Sequence, residues 1–372
     1  MKKCLGIVSW LTAMAMTWGC GGSNESGKSE SQANVGVIHV STYAYASCAV
    51  TSDGRIYCWG DNSYLTLQQS DRKDRGSPVP ISLVPGSANA VATAVGFTQI
   101  CALLADATVQ CWGSNTGEPA VVVGITGAQA ISSGHQHTCA LLTGGKVKCW
   151  GDSTWGQQGQ TNADGTIALS STVEALKAGR YHTVVLLSDG TVWYWGQNAF
   201  GFQGTDTLAK SLEPIQIPGV ANAVAITTEE NFACALIADG SVQCWGTSSD
   251  GVLGTSGITS STTAVQVAKI PGATEIGSSG FAVYVLKGDG TVMTWGSNKV
   301  FGVLGDESLA SGAAPATIPS LEGVTSVDGG SYHACALASG HVWCWGYPDH
   351  GQVGNGSIGT GIVWSPYEVV VP

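Results

Sequence analysis

The chain has 372 residues, of which 52 are glycine, 13 tryptophan and 12 cysteine, while only 11% are charged. The low charge excludes a solvated disordered chain, and a formal net charge of -11 argues against a nucleic-acid partner. No stretch supplies the ~18 consecutive apolar residues that a membrane-spanning helix needs.

The first 19 residues form a predicted export signal. Lys2 and Lys3 give it a positive start, and the apolar run from Leu5 to Trp18 is too short to span a bilayer. Removal of residues 1–19 would take away both lysines and change the formal charge from -11 to -13.

Two processing routes are open for this signal. Gly19 followed by Cys20 resembles the bacterial lipobox, which predicts lipid attachment at Cys20, although Thr17 stands where that motif prefers Leu. Gly21 after the cysteine, in place of Asp, would imply sorting to the outer membrane. The alternative is cleavage after Ala15 and secretion without lipid. Residues 20–34 are expected to form a flexible tether because they begin with a run of Gly, Ser and Asn.

A unit that ends in Trp-Gly then recurs seven times. Successive copies lie 38 to 53 residues apart, and their tryptophans are Trp59, Trp112, Trp150, Trp195, Trp245, Trp295 and Trp345. In the fifth copy, alternation in Cys234–Ile237 and Val242–Trp245 predicts a hairpin that turns at Asp239-Gly240. Two further apolar stretches precede each hairpin, so each copy is expected to contribute four short strands.

Four strands in about 50 residues, without helical periodicity, are typical of a β-propeller blade. The sequence therefore predicts an all-β, seven-bladed propeller over residues 35–372. Length alone would favour about two or three domains, but the periodicity favours one ring. Val35–Val40 and Pro366–Val371 resemble the two halves of the segment between hairpins. We expect the C-terminal strand to pair with the N-terminal strand, complete the blade begun there and close the ring.

The repeats resemble those of the regulator of chromosome condensation family. The resemblance rests on Phe200-Gly201-Phe202-Gln203-Gly204 after Trp195-Gly196, and on a Gly-x-x-His strand such as Gly134 to His137. It runs from about residue 35 to 372 and implies a seven-bladed propeller. The family's founder exchanges nucleotide on a small GTPase and docks on chromatin. Its exchange residues match no segment here, and secreted bacterial members that act as binding proteins are the closer precedent.

Ten cysteines remain after the export signal, which contains Cys4 and Cys20, and they fall into five hairpin pairs. The pairs are Cys48 with Cys58, Cys101 with Cys111, Cys139 with Cys149, Cys234 with Cys244, and Cys335 with Cys344. The fourth and sixth copies lack both cysteines. Joint loss and facing positions predict five disulfides. Zinc sites would need closer spacing, and free thiols are the remaining alternative.

Other chemistry has a structural explanation. His135 and His137 could share a metal, but His137, His182 and His333 recur at one repeat position, which indicates a structural role, such as a backbone hydrogen bond. Asp-Gly in the hairpin turns is what turn geometry requires, and the repeated tryptophans are expected to pack between blades. No catalytic, metal or cofactor motif is found, so we predict neither an enzyme nor a cofactor.

Features that the scaffold does not demand are the candidates for partner binding, because exposed aromatics and arginines are favoured in interfaces. Glu229 and Glu230 replace the usual glycine of the fifth copy and belong with these features. The predicted partner-binding loop residues are Tyr64, Arg72, Arg75, Trp155, Phe200, Phe202, Phe301 and His350.

The sequence thus favours an exported, lipid-anchored, non-catalytic scaffold that binds an unknown protein partner. We expect a monomer that touches the membrane only through its N-terminal lipid. A carbohydrate or cell-wall polymer binder is the alternative, and a hydrolase or lyase whose carboxylates converge only in three dimensions is a more distant one.

Overall fold

A computed structural model describes residues 35–114, 116–198, 209–247, 251–254, 258–359 and 361–372. Within these ranges the chain forms strands and turns, and it contains no helix that could cross a membrane. The predicted export signal, Cys20 and the tether lie outside the described residues, as do Phe200 and Phe202.

The strands follow one another in short antiparallel runs. In chain order they are β1 (Val37–Tyr43), β2 (Ala46–Thr51), β3 (Ile56–Gly60), β4 (Arg75–Ile81), β5 (Ala90–Val95), β6 (Gln99–Leu104), β7 (Val109–Gly113), β8 (Ala120–Val121), β9 (Ala128–Ser133), β10 (His137–Leu142), β11 (Lys146–Gly151), β12 (Val173–Ala178), β13 (His182–Leu187), β14 (Val192–Gln197), β15 (Lys210–Gln216), β16 (Ala223–Thr228), β17 (Phe232–Ile237), β18 (Ser241–Thr247), β19 (Ser260–Lys269), β20 (Ala273–Ser279), β21 (Ala282–Lys287), β22 (Val292–Gly296), β23 (Gly312–Thr317), β24 (Val324–Gly329), β25 (His333–Ala338), β26 (His341–Gly346) and β27 (Val363–Val369).

These strands form seven sheets, each built from consecutive strands. Blade 1 is β1–β4, blade 2 β5–β8, blade 3 β9–β11, blade 4 β12–β15, blade 5 β16–β19, blade 6 β20–β23 and blade 7 β24–β27. The first strand of each blade packs beside the first strand of the next, and β24 packs beside β1, so these strands surround a central channel. The prediction of an all-β, seven-bladed propeller is confirmed.

The antiparallel order gives the ring two different faces. The turn between strands 1 and 2 and the loop between strands 3 and 4 leave each sheet at the same end, which we call the loop face. The hairpin turns between strands 2 and 3 lie on the opposite face. At the hairpin turn of blade 5, an oxygen of the Asp239 carboxylate accepts the Ser241 N–H at 2.9 Å, so the predicted role of the turn aspartates is confirmed there.

The repeated tryptophans lie between blades, as predicted, and most are fully buried. Five of them donate the indole N–H to a carbonyl in the loop after strand 3 of the preceding blade, at 2.7–2.9 Å: Trp59, Trp112, Trp195, Trp295 and Trp345. The glycine that follows is also required. Gly60 has φ +108°, and a Cβ there would lie 2.2 Å from the Tyr45 carbonyl oxygen.

The five predicted cysteine pairs face each other across their hairpins in direct register, for example Cys48 opposite Cys58. Their Cα atoms are 4.0–4.1 Å apart and their sulfur atoms lie at disulfide distance. In blade 4 the same facing positions hold Val184 and Tyr194, which pack in the core without a covalent link. Such pairs are consistent with an exported protein, since disulfides persist in oxidising compartments.

Blade 3 departs from the prediction of four strands. Its sheet has the order β11-β10-β9, with no fourth strand. The segment after β11 is rich in Gly, Asp and Asn, which disfavour a strand. It forms turns with a single bridge between Thr161 and Ile167 instead, and Ile167 N–H bonds to the Val147 carbonyl of β11 at 2.9 Å.

Closure of the ring also differs from the prediction. β1 is the inner strand of blade 1 and β27 the outer strand of blade 7, so no blade pairs the two ends and that expectation is wrong. The described chain starts with the first strand of blade 1 and ends with the fourth strand of blade 7, so neither blade needs a strand from the other. Blade 7 closes the ring by packing on blade 1, where Val37 N–H bonds to the Gly340 carbonyl at 2.9 Å.

Candidate functional site

The predicted partner-binding residues that the structure describes lie on the loop face. Tyr64 and Arg72 belong to the loop between β3 and β4, and Arg75 begins β4 at the end of that loop. Trp155 lies in the loop after β11 of blade 3. Phe301 and His350 lie in the corresponding loops of blades 6 and 7. The antiparallel topology thus brings residues from four blades to one side of the ring.

Four of these residues are joined by an inner set that sequence reasoning missed. The turn between strands 1 and 2 carries a half-buried ring in six of the seven blades. We call the combined set the aromatic belt; it consists of the inner residues Tyr45, Phe97, His135, Tyr181, Phe281 and Tyr332 and the outer residues Tyr64, Trp155, Phe301 and His350.

Ring contacts link the inner residues of the belt from blade to blade. The ring centroids of Phe281 and Tyr332 are 5.7 Å apart, and those of Tyr332 and Tyr45 are 5.5 Å apart. The next pair, Tyr45 and Phe97, is 6.3 Å apart. Phe97 stacks on the His135 ring at 4.4 Å, and this ring lies 5.2 Å from Tyr181. The row therefore passes over blades 6, 7, 1, 2, 3 and 4, and is interrupted at blade 5.

Each outer residue of the belt contacts an inner one. Phe301 lies 4.4 Å from Tyr332, and His350 lies 4.6 Å from Tyr45. The other two contacts are longer, at 5.3 Å between Tyr64 and Phe97 and 6.2 Å between Trp155 and Tyr181. The predicted residues are thus the outer part of a larger surface. An aromatic residue three or four positions before the cysteine position of most copies was the sequence signal for its inner part.

The predicted arginines are engaged within their own loop. The Arg75 guanidinium pairs with the Asp71 carboxylate at 3.0 Å, and Arg72 donates to the Ser63 carbonyl. The cation in contact with the belt is Arg180, which lies 5.1 Å from the Tyr181 ring centroid. Sequence reasoning did not single out Arg180.

His350 also belongs to a polar cluster between blades 7 and 1. Its Nδ1 donates to the Asp74 carboxylate at 2.8 Å and lies 4.0 Å from that of Asp61. One donor atom from each residue lies within 4.8 Å of the others, a spacing that could hold a metal ion. Both carboxylates already accept loop N–H groups, from Asn62 and Ser63, so the cluster's evident role is to fasten the two blades together.

His135 and the three repeated histidines have different roles. His135 stacks in the belt, where burial and then the Arg180 cation lower its pKa to about 4. His137 is fully buried and its Nε2 lies 3.1 Å from the Thr183 hydroxyl of the next blade. Equivalent contacts join His182 to Thr228 and His333 to Ser47. The predicted structural role is confirmed, with a side-chain hydroxyl as the partner where a backbone group had been suggested.

Charged side chains converge in the central channel. Lys177 of blade 4 reaches Asp328 of blade 7 at 3.8 Å, and the same carboxylate accepts the N–H of Thr42 at 2.9 Å. Glu275 of blade 6 accepts the Val327 N–H at 3.2 Å, and burial raises the pKa of Glu275 to about 7. These contacts tie neighbouring and opposite blades together across the channel.

Where blade 5 interrupts the belt, a polar group occupies the channel mouth; we call Tyr43, Arg180, Glu229 and Glu230 the mouth cluster. Arg180 pairs with Glu230 at 2.9 Å, which joins blades 4 and 5. Glu229 is only 4% exposed, and burial, followed by the charge of Glu230, raises its pKa well above the usual range. Burial and the charges of both glutamates likewise raise the pKa of Tyr43.

Family models match several of the blades. The regulator of chromosome condensation (RCC1) repeat matches residues 37–64, 128–160, 173–201 and 324–352, and a second model of this repeat matches residues 289–337. No curated protein gives a significant match to the sequence.

Solved structures show the same fold at low sequence identity. Human WBSCR16 is 21% identical with a TM-score of 0.73, covering 86% of this chain and 94% of that chain. Yeast RCC1 (Prp20), bound to Kap60, is 18% identical with a TM-score of 0.75, covering 94% and 91%. A second structure of Prp20p from Saccharomyces cerevisiae, a protein whose binding to Gsp1p and histones was characterised, is 20% identical with a TM-score of 0.74, covering 88% of each chain.

Repeat matches in five blades and the shared propeller fold agree with each other. The chain belongs to the regulator of chromosome condensation repeat family.

Proposed function

We propose that this protein is an exported, non-catalytic scaffold that binds a partner protein through the aromatic belt. The observation that carries the proposal is the continuity of the belt, whose rings contact one another over six blades on one face. Tyr, Trp, Phe and Arg are the side chains enriched at the centres of protein interfaces. Prp20, a propeller of the same family, has been solved in complex with Kap60.

Export and anchoring are part of this proposal. The positive start, the short apolar run and Cys20 support a lipid-anchored monomer on the outer membrane, and cleavage after Ala15 would give a secreted form instead. The five cysteine pairs at disulfide distance support an oxidising compartment for either form.

Binding explains the polar groups of the channel better than catalysis does. The Asp328 carboxylate pairs with Lys177 and accepts the Thr42 N–H, and the Glu275 carboxylate accepts the Val327 N–H. Both carboxylates therefore have a structural role. A hydrolase needs an acid and a base that are free to reach one substrate. Among the described channel acids, Glu229 alone makes no such contact.

A carbohydrate or cell-wall polymer is the competing ligand, because sugar rings also stack on aromatic side chains. Site-specific photo-crosslinking separates the two classes. Val300 is 58% exposed beside Phe301 on the loop face, and Val123 is 93% exposed in the link between blades 2 and 3 on the opposite face. A photoreactive amino acid is placed at either position in the full chain, which is irradiated in its own cell envelope.

Crosslinking to one envelope protein from position 300, and not from position 123, is the expected result. It should be lost when Phe301→Ala and Tyr332→Ala are combined, since these rings lie 4.4 Å apart beside the crosslinker. Crosslinks to polysaccharide alone, or equal protein crosslinks from both positions, would contradict the proposal.

A further inference from the structure

Glu229 stands at a position where most blades have no side chain. Five residues before the cysteine position, blades 2, 3, 4 and 7 carry Gly96, Gly134, Gly179 and Gly330. A Cβ at any of these glycines would lie 2.0–2.7 Å from its nearest neighbour. The three remaining blades carry Tyr43, Glu229 and Ser279. The repeat therefore does not require the two mouth-cluster side chains that occupy this position.

Glu229 directly follows β16, the first and innermost strand of blade 5. Its charge raises the pKa of Tyr43 from blade 1 and of Tyr284 from blade 6, although burial is the larger cause in both. Asp328 of blade 7 and Lys177 of blade 4 act in turn on Glu229. Groups from four other blades can be close to one carboxylate only where the blades converge.

This carboxylate has no partner among the described residues. Glu229 is 4% exposed, and within the described chain no residue donates a hydrogen bond to its side chain or forms an ion pair with it. Glu230, by contrast, is paired with Arg180. A buried acid costs free energy unless it is neutral or compensated by a cation.

A second group at the same mouth lacks a partner. Tyr43 is 7% exposed, and its hydroxyl makes no hydrogen bond to any described residue. Glu229, Glu230 and Arg180 all influence the pKa of Tyr43, so the hydroxyl faces the mouth cluster. A buried hydroxyl without a partner loses free energy that a ligand donor would restore.

In the part of the chain that the structure describes, the channel has more acids than cations. Arg180 and Lys177 pair with Glu230 and Asp328, which leaves Glu229 and Glu275 without a cation of their own among the described side chains. The two histidines nearby, His39 and His135, stay neutral at pH 7 because burial lowers the pKa of each. The aromatic rings of the belt, on the same loop face, would also attract a cation.

From this arrangement we infer that the channel mouth is a pocket for a primary ammonium group on an alkyl stem, supplied by a lysine side chain of the partner protein. The compact ammonium has three donors, which suit the Glu229 carboxylate and the Tyr43 hydroxyl oxygen. This inference rests on the proposed binding function and specifies the chemistry of the partner.

The test uses Nα-acetyl-L-lysine amide as the probe and the norleucine analogue, which lacks the ammonium, as its control. Isothermal titration calorimetry of the full chain should detect the lysine probe and not the norleucine one. Glu229→Gln should weaken binding at least about tenfold, since a charge-assisted contact is lost. Glu213→Gln, the same change at an exposed residue of β15, should leave binding unchanged.

Proton release supplies a readout that a structural role would not give. Burial raises the pKa of Glu229 and a bound ammonium would lower it again, so binding should release protons, seen as a heat that varies with the buffer's ionisation enthalpy. Tyr43→Phe should weaken binding and keep this release, whereas Glu229→Gln should abolish it. Thermal unfolding checks that each variant is folded, and Glu229→Gln should not unfold at lower temperature, since it removes a buried acid.

Equal binding of both probes, no binding of the lysine probe, or unchanged affinity in Glu229→Gln would overturn the inference. Crosslinking from position 300 separates this failure from failure of the proposed function. If the crosslink to the partner persists while the lysine probe does not bind, the belt binds a protein and only the ammonium pocket is wrong. If both are absent, the proposed function itself is wrong.

Discussion

The three buried histidines show how one residue type joins neighbouring blades. The Ser47 and Thr183 hydroxyls donate to the carbonyls of Gln352 and Gln157, so their oxygens must accept from the histidines. His333 and His137 are therefore protonated at Nε2, and the Nδ1 of each is buried without a partner. A second proton on Nδ1 would be a buried donor with nothing to accept it.

The first prediction concerns the pH dependence of stability. Burial lowers the pKa of His137 to about 4 and those of His182 and His333 to about 3. Between these values and the unfolded pKa, the unfolded chain therefore binds more protons than the folded chain. The contribution of these histidines is full above the unfolded pKa of about 6.5 and is lost as the pH falls towards 4. Glu275, with a raised pKa, opposes this trend, but the buried histidines outnumber such acids.

Urea unfolding at several pH values between 7.5 and 4 measures this effect. The free energy of unfolding should fall as the pH drops through this window, and His333→Asn should show a shallower slope than the parent protein. A free energy of unfolding that stayed constant from pH 7 to pH 5 would show that these histidines titrate normally in the folded state.

The second prediction concerns Gly134. A Cβ at this position would lie 2.0 Å from the Gly179 carbonyl oxygen of blade 4. The two turns cannot separate easily because His135 N–H bonds to the Arg180 carbonyl at 3.2 Å. Gly134→Ala should lower the free energy of unfolding by about 1–3 kcal/mol, as overpacking does.

Gly288→Ala is the control for Gly134→Ala. Its Cβ would lie 3.5 Å from the Thr274 methyl group and 3.8 Å from the Gly272 carbonyl oxygen, both ordinary van der Waals contacts. Thermal unfolding should show a lower midpoint for Gly134→Ala and an unchanged one for Gly288→Ala. Equal midpoints for the two variants would mean that the turns of blades 3 and 4 can move apart.

At the scale of the element, sequence reasoning was most successful for the hairpins. The facing cysteine positions and the Asp-Gly turns follow from the period of two along a strand and from local turn geometry, so the residues themselves carry the information. The missing strand of blade 3 is a different case. The segment after β11 (Lys146–Gly151) forms a strand only if its backbone groups bond to β11 rather than to turns and solvent. The prediction of a strand there rested on the repetition alone.

The third prediction is that all five hairpin pairs are disulfides in the mature protein. Alkylation of the denatured, unreduced chain should modify none of these cysteines, and alkylation after reduction should add ten labels to residues 35–372. Each closed loop of about ten residues should contribute ~2–3 kcal/mol. Replacing Cys101 and Cys111 together by alanine should therefore lower the free energy of unfolding by about that amount. Labelling of the unreduced chain would contradict the assignment.

At the scale of the whole molecule, the ring brings together residues that no local pattern connects. The outer belt could be predicted because Tyr64, Trp155 and Phe301 stand out against the repeat. The inner belt left a sequence signal, the aromatic residue before the cysteine position, but its ring contacts cross blades that no local pattern links. The mouth cluster could not be predicted, because Tyr43 of blade 1 and Glu229 of blade 5 come near each other only once the ring has closed. That proximity is a property of closure and not of any repeat.

The fourth prediction tests the junction of blades 7 and 1. Deleting residues 366–372 removes Val369 from a core cluster that it shares with Trp59 of blade 1, and it leaves β26 as an exposed edge. The free energy of unfolding should fall by at least about 3 kcal/mol. Deleting only Pro372, which is exposed, should have little effect. Urea unfolding compares the two truncations, and equal stability would mean that β27 is dispensable.

The junction of blades 7 and 1 resembles the other junctions in its chemistry. Trp59 bonds to the Gln352 carbonyl of blade 7 at 2.8 Å, just as Trp195 bonds to the Gln157 carbonyl of blade 3 at 2.9 Å. Every blade is also one uninterrupted run of chain. The fold therefore does not depend on which blade comes first in the chain. A circular permutant in which Pro372 is linked to Val35 and new termini are cut between any two blades should fold to the same propeller.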